Sequence, residues 1–385
     1  MNASASSFSS VRVAIIGAGV IGLSIAWRLA QRGAAVTVFE RDAAGQGASR
    51  AAAGMLAACA ELEPGEEGLL PLNRAAQALW PGFAEELERA SGESVDLRTE
   101  GTLVVALTAD DQARLRHQLE HQHALGLPLE WLSAAQVKRR EPYLNPNLVG
   151  AVWSPEDHQV DNRRLSVALR IVAEQAGADI CEHRPVERIV SEGGRVTGLV
   201  AGGQAHAADV VVLAAGAWSR SLEGLPLAAR PPVRPIKGQM LALGMDPARP
   251  LLNHVVWAPG IYLVPRRDGR LIIGATTEEK GFDTRLTAGG QLALLQAAWR
   301  ALPGIEELPI VEAWVGFRPG SRDDAPILGR GPLDGLVYAT GHHRNGILLT
   351  PITAAAITRL ILDGVTDPVV APFRPERFAP AVAAE

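Results

Sequence analysis

Three glycines and one acid are the residues of this chain whose spacing most directly implies chemistry. Gly17, Gly19 and Gly22 form the pattern G-A-G-V-I-G, and Glu40 stands 18 residues beyond the last of them. Gly17 permits a tight turn, Gly19 lets backbone approach a pyrophosphate, and Gly22 lets a helix pack closely on a strand. A pyrophosphate in that turn would face the unpaired N–H groups and positive end of a helix. Glu40 is placed to accept hydrogen bonds from an adenosine ribose, and its charge would repel a 2′-phosphate. The glycines alone are weak support, because an ordinary strand–helix–strand unit can carry a Gly-rich turn.

The elements that must position these residues surround them in the required order. Val11, Val13, Ala14, Ile15 and Ile16 read as a buried strand. A helix follows from about Val20, with Leu23, Ala26, Trp27 and Ala30 at helical spacing, and stops near Gly33. A second apolar strand, Ala35 to Phe39, ends on Glu40. Strand, glycines, helix, strand and terminal acid together point to a dinucleotide site.

A second candidate does not survive its surroundings. His117-Gln118-Leu119-Glu120-His121 fits the HxxEH zinc-protease pattern, with both histidines on one helix face. Arg114, Arg116, Gln118, Gln122 and His123 surround them, which is the composition of a solvated face, so no metal is expected. Cys59 and Cys181 form no metal or redox spacing and read as buried thiols in a reducing cytosol.

The whole chain has 385 residues, 47% of them apolar and 21% charged, enough for a large core in two or three domains' worth of material. A net charge of −5 without a concentrated basic run argues against a nucleic-acid partner. The first ten residues, MNASASSFSS, read as a frayed tail without the basic start and apolar core of a signal peptide. No run reaches the ~18 apolar residues of a membrane span. A cytoplasmic protein without a membrane partner is expected.

After Glu40, Gly45 to Gly54 is a run of small residues. Small side chains would let backbone lie against something flat and large, such as a flavin ring, although an Ala-rich helix has the same composition. Residues 71 to 91 are patterned as a helix broken at Pro81. Thr108 and Asp111 form a capping box for a helix reaching Gly126. Pro142 to Val160 is turn-rich with strand pieces, and a helix spans about Asn162 to Ala176. Asp179–Ile180, Arg188–Ser191 and Val196–Val200 read as strands, the last two joined at Gly193-Gly194. Asp209 to Gly216 is a fully buried strand ending in small residues, a second place for close approach to backbone. Strand candidates at Pro231–Leu243, Gly260–Val264, Arg270–Ala275 and Val311–Phe317, with a helix near Thr287–Ala301, suggest a second, antiparallel domain. Leu336–Thr340 is a strand and Ile347–Leu362 a helix, with a loosely packed tail from Pro368. The expected fold class is α/β, a Rossmann-like nucleotide domain (1–86, 157–229 and 318–385) interrupted by a mostly antiparallel substrate domain (87–156 and 230–317).

Several distant patterns then agree. GAGVIG with Glu40, AAAGML at 51–56, DVVVLAAGAWS at 209–219, PIKGQ at 235–239, YLVPRRDGRLIIGAT at 262–276, GFRPGSRDDAPILGR at 316–330 and ATGHHRNGILLTP at 339–351 cover the chain almost end to end. In these the sequence resembles the D-amino-acid oxidase family of FAD flavoproteins, and within it the bacterial glycine oxidases. The resemblance implies noncovalent FAD, since the sarcosine oxidases attach their flavin through a cysteine and none lies near Gly316 and Phe317. It puts pyrophosphate and ribose contacts on Val20, Ile21, Glu40 and Arg41, and ring contacts on Ala48, Ser49, Ala53, Gly54 and Met55. Val186 falls at the adenosine part, while His342, His343, Arg344, Asn345, Gly346, Ile347 and Leu348 fall along the pyrimidine edge. Gly216, at the end of the buried strand, is the further close-approach point. If Gly346-Ile347 opens the last helix, its positive end would favour the anionic charge of a reduced flavin.

The family reaction takes a hydride from the α-carbon of an amino acid, and O2 reoxidises the flavin to give H2O2. The resemblance assigns the substrate carboxylate to Arg318, suited by its bidentate fork, and to the hydroxyl of Tyr262. It places Arg344 near the site mouth and names no catalytic base. Thr277 and Gly260 depart from the glycine-oxidase pattern, where a methionine and a histidine stand, so sarcosine or a small D-amino acid would fit beside glycine. A role in thiamine thiazole synthesis is implied, and a homo-oligomer is left open. The competing reading is a D-amino-acid dehydrogenase passing electrons to an acceptor other than O2. A flavin scaffold without turnover conflicts with the presence of Arg318 and Tyr262, and an NAD enzyme with the small-residue run and GHHRNG.

Overall fold

The computed structural model describes residues 10–378. Apart from Ser10, the N-terminal tail read from the sequence lies outside them. At the centre is a six-stranded sheet in the order Ile327–Arg330, Leu336–Thr340, Val210–Leu213, Arg12–Ile16, Ala35–Phe39, Asp179–Cys181. Its neighbours run parallel except for Ile327–Arg330, which turns back antiparallel on Leu336–Thr340.

The apolar character of the central strands follows from burial on both faces. Val13, Ile15, Val36, Val38 and Val212 face one core with the helices Val20–Gln31, Leu70–Ser91, Asn162–Gln175 and Thr350–Leu362. Ala14, Ile16, Phe39, Val211 and Leu213 face another, closed by the three-stranded antiparallel sheet Val186–Glu192, Arg195–Ala201, Gln204–Ala207.

The second layer is an eight-stranded sheet in the order Ile310–Gly320, Arg234–Gly244, Arg270–Gly274, Ile261–Pro265, Val255–Ala258, Thr102–Ala106, Gly150–Ser154, Glu130–Ser133. Every pairing is antiparallel except Val255–Ala258 with Thr102–Ala106. One face packs on the helix Ala288–Ala301. The other carries a smaller apolar group, Met240, Ala242, Val255, Val264 and Ile272, which meets Ala53 of the first unit. The chain visits the six-stranded sheet, the eight-stranded sheet, the first again, the second again, and ends in the first.

Four local features differ from the sequence expectation. Pro81 does not break its helix, which runs unbroken from Leu70 to Ser91. Pro81 is on the exposed side, while Leu72, Ala76, Trp80, Phe83, Ala84 and Leu87 bury the opposite stripe, and that packing outweighs one missing N–H bond. The last helix starts at Thr350, not Ile347. Pro351 has no N–H to offer the Ile347 carbonyl, so residues 346–349 form turns, with Leu349 N–H bonded to Asn345 O at 2.9 Å. The segment after Pro368 is not loosely packed, because Val370 and Phe373 sit in the main core; residues 379–385 lie outside the described part. Cys59 is buried, whereas Cys181, on the edge strand of its sheet, is only half-buried. Among the described residues no helix is long and apolar enough to cross a membrane.

The closest backbone approach in the first unit supplies a test. A Cβ at Gly22 would lie 1.9 Å from the Gly17 carbonyl oxygen, a backbone atom that cannot swing aside. Gly22→Ala is expected to destabilise the protein by about 3 kcal/mol, the upper end for overpacking. This would be read from the urea midpoint, and a variant of native stability would contradict the packing described.

Candidate active site

Strand Arg12–Ile16 delivers the chain to Gly17, whose φ of +105° and whose closeness to Ala214 both exclude a side chain: a Cβ there would lie 2.5 Å from the Ala214 carbonyl oxygen. Gly19 then precedes the helix Val20–Gln31 in extended conformation, with no acidic residue in the first turn to neutralise its positive end. The amides of the turn are partly satisfied by the protein. Ala18 N–H donates to Glu40 Oε2 at 2.8 Å, and Val20 N–H to Ser49 Oγ at 3.0 Å. Glu40 Oε1 accepts from Asp42 N–H at 3.1 Å, so this carboxylate braces the turn as well as facing the cavity.

The cavity that opens here has a volume of about 640 Å³, in the usual range for small-molecule sites. It reaches from the first βα turn to the eight-stranded sheet. Gly17, Gly19, Val20, Ile21, Glu40, Arg41, Ala48, Ser49, Ala53, Gly54, Met55, Val186 and Gly216 line it, as do His342, His343, Arg344, Asn345, Gly346 and Ile347. So do Tyr262, Arg318, Thr277 and Gly260. Two residues expected there do not line it. Gly22 lies behind the turn, where its hydrogen is all the Gly17 carbonyl leaves room for. Leu348 points into the core, and its carbonyl accepts the Trp80 indole N–H at 2.8 Å.

The small-residue run is a single helical turn, Ala48–Ala51, followed by extended backbone from Ala52. Part of its composition answers to the protein itself. A Cβ on Gly54 would meet the Val160 carbonyl at 2.0 Å, and one on Gly316 would meet the Ala51 methyl at 2.4 Å. Behind this wall lies Arg266, 4% exposed. Its guanidinium donates to the carbonyls of Val160 (2.8 Å) and Ala53 (2.7 Å) and to the side-chain oxygens of Gln159 (3.0 Å) and Asn162 (3.0 Å). Asn162 Nδ2 in turn donates to Ser49 O at 2.7 Å and Arg50 O at 3.1 Å. Burial pulls the Arg266 pKa down to about 10 against the opposing charge of Asp161. Arg266 thus stays protonated at neutral pH and ties the second sheet to the cavity wall. Sequence reasoning did not single it out, since nothing distinguishes it from the exposed Arg267 beside it.

At the far end, Arg318 occupies the end of strand Ile310–Gly320. Its side chain lies over Gly238, where a Cβ would come within 2.7 Å of Nη1, and Nη1 donates to Thr276 O at 3.1 Å. Tyr262 lies over Gly274, its cross-strand partner, where a Cβ would stand 2.5 Å from the hydroxyl. Burial pushes the Tyr262 hydroxyl pKa up; Arg318 opposes the shift and Glu61 adds to it. Trp257 packs edge-on against Tyr262 with centroids 5.2 Å apart, and its indole N–H has no partner among the described residues. On the same cavity, the Arg41 guanidinium stacks 3.6 Å above the Trp218 ring, whose ring also stacks on Phe282.

Residues 341–349 form a third wall. His342 is buried, bonded to Thr353 Oγ1 at 3.2 Å, and burial pushes its pKa down to about 3. His343 is likewise pushed down by burial, to about 4, with Asp324 pulling the other way. Both imidazoles are neutral at physiological pH. Arg344 bridges Glu61 at 3.1 Å and Glu66. Glu61 also lines the cavity, and burial raises its carboxyl to about 7 despite Arg344. Like Trp218, Trp257 and Met240, it was not a sequence candidate, since no local pattern marks it out from its acidic neighbours Glu63, Glu66 and Glu67. The HxxEH pair is a surface feature: His121 Nε2 bonds Glu67 Oε1 at 3.0 Å. Among the described residues no group of three or more His, Cys, Asp or Glu side chains could hold a metal.

With this geometry in hand, likeness to known proteins is informative. A family profile described as FAD dependent oxidoreductase matches residues 12–360. The chain is 42% identical to a Bifunctional protein ThiO/ThiG of Synechocystis sp. over 95% of its length, and it spans about half of that longer protein, 54%. It is 38% identical to a Glycine oxidase of Geobacillus kaustophilus over 97% of this chain and 98% of the relative. The crystal structure of glycine oxidase from Geobacillus kaustophilus superposes with a TM-score of 0.89, covering 96% of this chain and 99% of that one.

The Arg266 network can be probed without a ligand. Arg266→Met strands two backbone carbonyls and the oxygens of Gln159 and Asn162. The expected loss of stability is about 3 kcal/mol or more, since each stranded buried acceptor costs about 1–3 kcal/mol. Unfolding midpoints of native and variant chains would check it; unchanged midpoints would mean that the network carries no energy.

Proposed function

Because this chain belongs to the FAD-dependent oxidoreductase family, we propose that it oxidatively deaminates glycine and similar small amines, sarcosine and small D-amino acids among them. The products are the 2-oxo acid, ammonia or an amine, and H2O2, with O2 as second substrate. The observation that carries this reading is Arg318. It is a half-buried guanidinium in the cavity wall with one hydrogen bond, to Thr276 O, and no ion pair among the described residues. Such an arginine is ready for a planar carboxylate. Support for the substrate also comes from the name of the Geobacillus kaustophilus relative, Glycine oxidase.

FAD suits the cavity on two grounds in this chain. The turn at Gly17 to Ile21 offers backbone N–H groups and the positive end of an uncapped helix to a pyrophosphate. The wall from Ala48 to Met55 presents backbone with side chains no larger than Arg50 and Met55, of which only Met55 faces the cavity. In our reading Val20, Ile21, Glu40 and Arg41 hold the pyrophosphate and ribose. Val186 meets the adenosine, Ala48 to Met55 back the ring, and residues 342–347 follow its edge. FAD, when bound, supplies the hydride acceptor.

The chain's own contribution is position and dryness. Arg318 and Tyr262 grip the substrate carboxylate from two strands of the same sheet, with Arg234–Gly244 and Arg270–Gly274 between them, so the α-carbon is held at a fixed height above the ring wall. The apolar group around Met240, Val264 and Ile272 keeps bulk water from that end. The neutral His342 and His343 add no charge there. Thr277 and Gly260 leave room beside the carboxylate site, which favours a substrate slightly larger than glycine as well as glycine itself. We assign cofactor binding to segments 1–86, 157–229 and 318–385 and substrate binding to 87–156 and 230–317, with Arg318 joining the substrate side because its strand, Ile310–Gly320, belongs to the eight-stranded sheet. We place the reaction in thiamine thiazole synthesis, in the cytoplasm, on the family resemblance.

Arg318→Ala should lower kcat/KM for glycine by about 10²–10⁴-fold, the range for losing a buried charge-assisted contact worth ~3–5 kcal/mol. Tyr262→Phe should lower it less, by about tenfold, since one neutral-to-charged hydrogen bond contributes ~1.5 kcal/mol. Peroxide release at varied glycine concentration measures both. An Arg318→Ala enzyme with native kcat/KM would remove the carboxylate site from this end of the cavity.

A further inference from the structure

Around Tyr262 the cavity carries two charged groups of opposite surplus. Arg318, on the eight-stranded sheet, makes no ion pair among the described residues and is a free cation. Arg344 is shared by two acids: its Nε donates to Glu61 Oε2 at 3.1 Å and its Nη2 reaches Glu66. One guanidinium balances one carboxylate, so the group carries one surplus negative charge when both acids are ionised. Of the two acids only Glu61 lines the cavity. Arg344 holds its Oε2, while its Oε1 accepts no hydrogen bond among the described residues. Tyr262 lies in the field of both ends, since Arg318 and Glu61 act on its hydroxyl in opposite senses.

We propose that Glu61 is a catalytic residue that receives the α-ammonium group of the substrate and takes its proton, opposite Arg318. This rests on the reading of the cavity as an amino-acid site. An amino acid near neutral pH is a zwitterion, and a cavity with a free cation at one wall and a surplus carboxylate at another is its electrostatic complement. An ammonium nitrogen has no lone pair to push, so Cα cannot release a hydride until a proton is gone. The step is R–NH3⁺ plus Glu–COO⁻ giving R–NH2 plus Glu–COOH: one N–H bond breaks, one O–H bond forms, and no electrons change oxidation level. The freed lone pair is what lets Cα give up a hydride, for which FAD would supply the acceptor.

The surroundings of Glu61 suit a base that works near neutrality. Burial holds its carboxyl up at about 7; Arg344 pulls it down, and Asp157 and Glu66 push it up. Together with Tyr262 these are the charged and titratable groups that act on it most strongly among the described residues. A base must be ionised to accept a proton, so the native rate should fall as pH drops below about 7. Without the carboxylate, the reaction must draw on the small fraction of substrate that is already a neutral amine. Its rate should then climb with pH towards the ionisation of the free amine.

The test is anaerobic reduction of the FAD-loaded protein by glycine, followed by stopped-flow absorbance from below to well above neutrality. It compares the native chain, Glu61→Gln and Glu66→Gln. Acetate, a carboxylate without an ammonium group, serves as a separate binding probe through its perturbation of the flavin spectrum. Glu61→Gln should slow reduction at neutral pH by about 10²–10⁴-fold, the usual contribution of a general base. It should also replace the acid limb by a steady rise with pH, and leave acetate binding unchanged. Glu66→Gln should keep the acid limb, because Glu61, the carboxylate that faces the cavity, is still present. A Glu61→Gln enzyme that keeps the native rate and limb overturns the proposal while leaving the amine-oxidase reading intact. Loss of acetate binding in Glu61→Gln, or an equal defect in Glu66→Gln, overturns it in favour of a structural role through Arg344. A native protein whose FAD no small amino acid reduces overturns both readings.

Discussion

Nothing but hydrogen fits at Gly22, because the carbonyl of Gly17 occupies the place a side chain would take. That contact seats the helix Val20–Gln31 against the end of the central strand, with its first turn directed at the cavity. Gly17 is pinned from the other side by Ala214, at the end of the neighbouring strand Val210–Leu213. Two strand ends and one helix start therefore meet within backbone contact of one another. The cavity begins where they meet, as expected for an α/β sheet, in which ligands bind beyond the carboxyl ends of the strands. Glu40, at the end of the third strand, completes the arrangement by accepting the Ala18 amide.

From this corner the site extends to a second sheet that has no covalent reason to stay in register with it. Arg266 supplies the reason. It leaves the strand region around Ile261–Pro265 and donates to the carbonyls of Val160 and Ala53 beside Gly54, so the cavity wall Ala48–Met55 is positioned by the eight-stranded sheet as well as by its own loop. Trp314, on the edge strand of the same sheet, adds a bond from its indole N–H to Ala51 O at 3.1 Å. Arg318 and Tyr262 belong to this sheet as well. The elements that would hold the substrate and those that would back the ring are thus fixed to one rigid surface, the condition for holding a reacting carbon within the small tolerance hydride transfer allows.

Much of this was legible in the amino-acid order. The first strand–helix–strand unit obeys local rules of periodicity and turn chemistry, and the buried strand near Val211 is apolar on both faces because it is covered on both. The long motifs around Arg318 and His342 carried the family resemblance. What escaped was set by tertiary contact. Pro81 stays inside a helix because a buried stripe holds it there, and Ile347 lies outside the last helix because Pro351 withholds one donor. Leu348 turns to the core to meet Trp80. Glu61 looks like one acid in an exposed run until the fold wraps Arg344 around it, and Arg266 looks like its neighbour Arg267 until the cavity wall is built. Gly54 and Gly316 are small for reasons of protein packing that composition alone does not separate from ligand binding.

One measurement on the native protein is the most direct test: the flavin spectrum on adding glycine without oxygen, then on admitting air. A small-amino-acid oxidase of this construction should lose its oxidised flavin band anaerobically. In air it should recover the band while releasing peroxide equal in amount to the glycine consumed. A spectrum that glycine, sarcosine and small D-amino acids all leave unchanged would contradict the account. So would a band that bleaches yet yields no peroxide in air, since the electrons would then be destined for another acceptor.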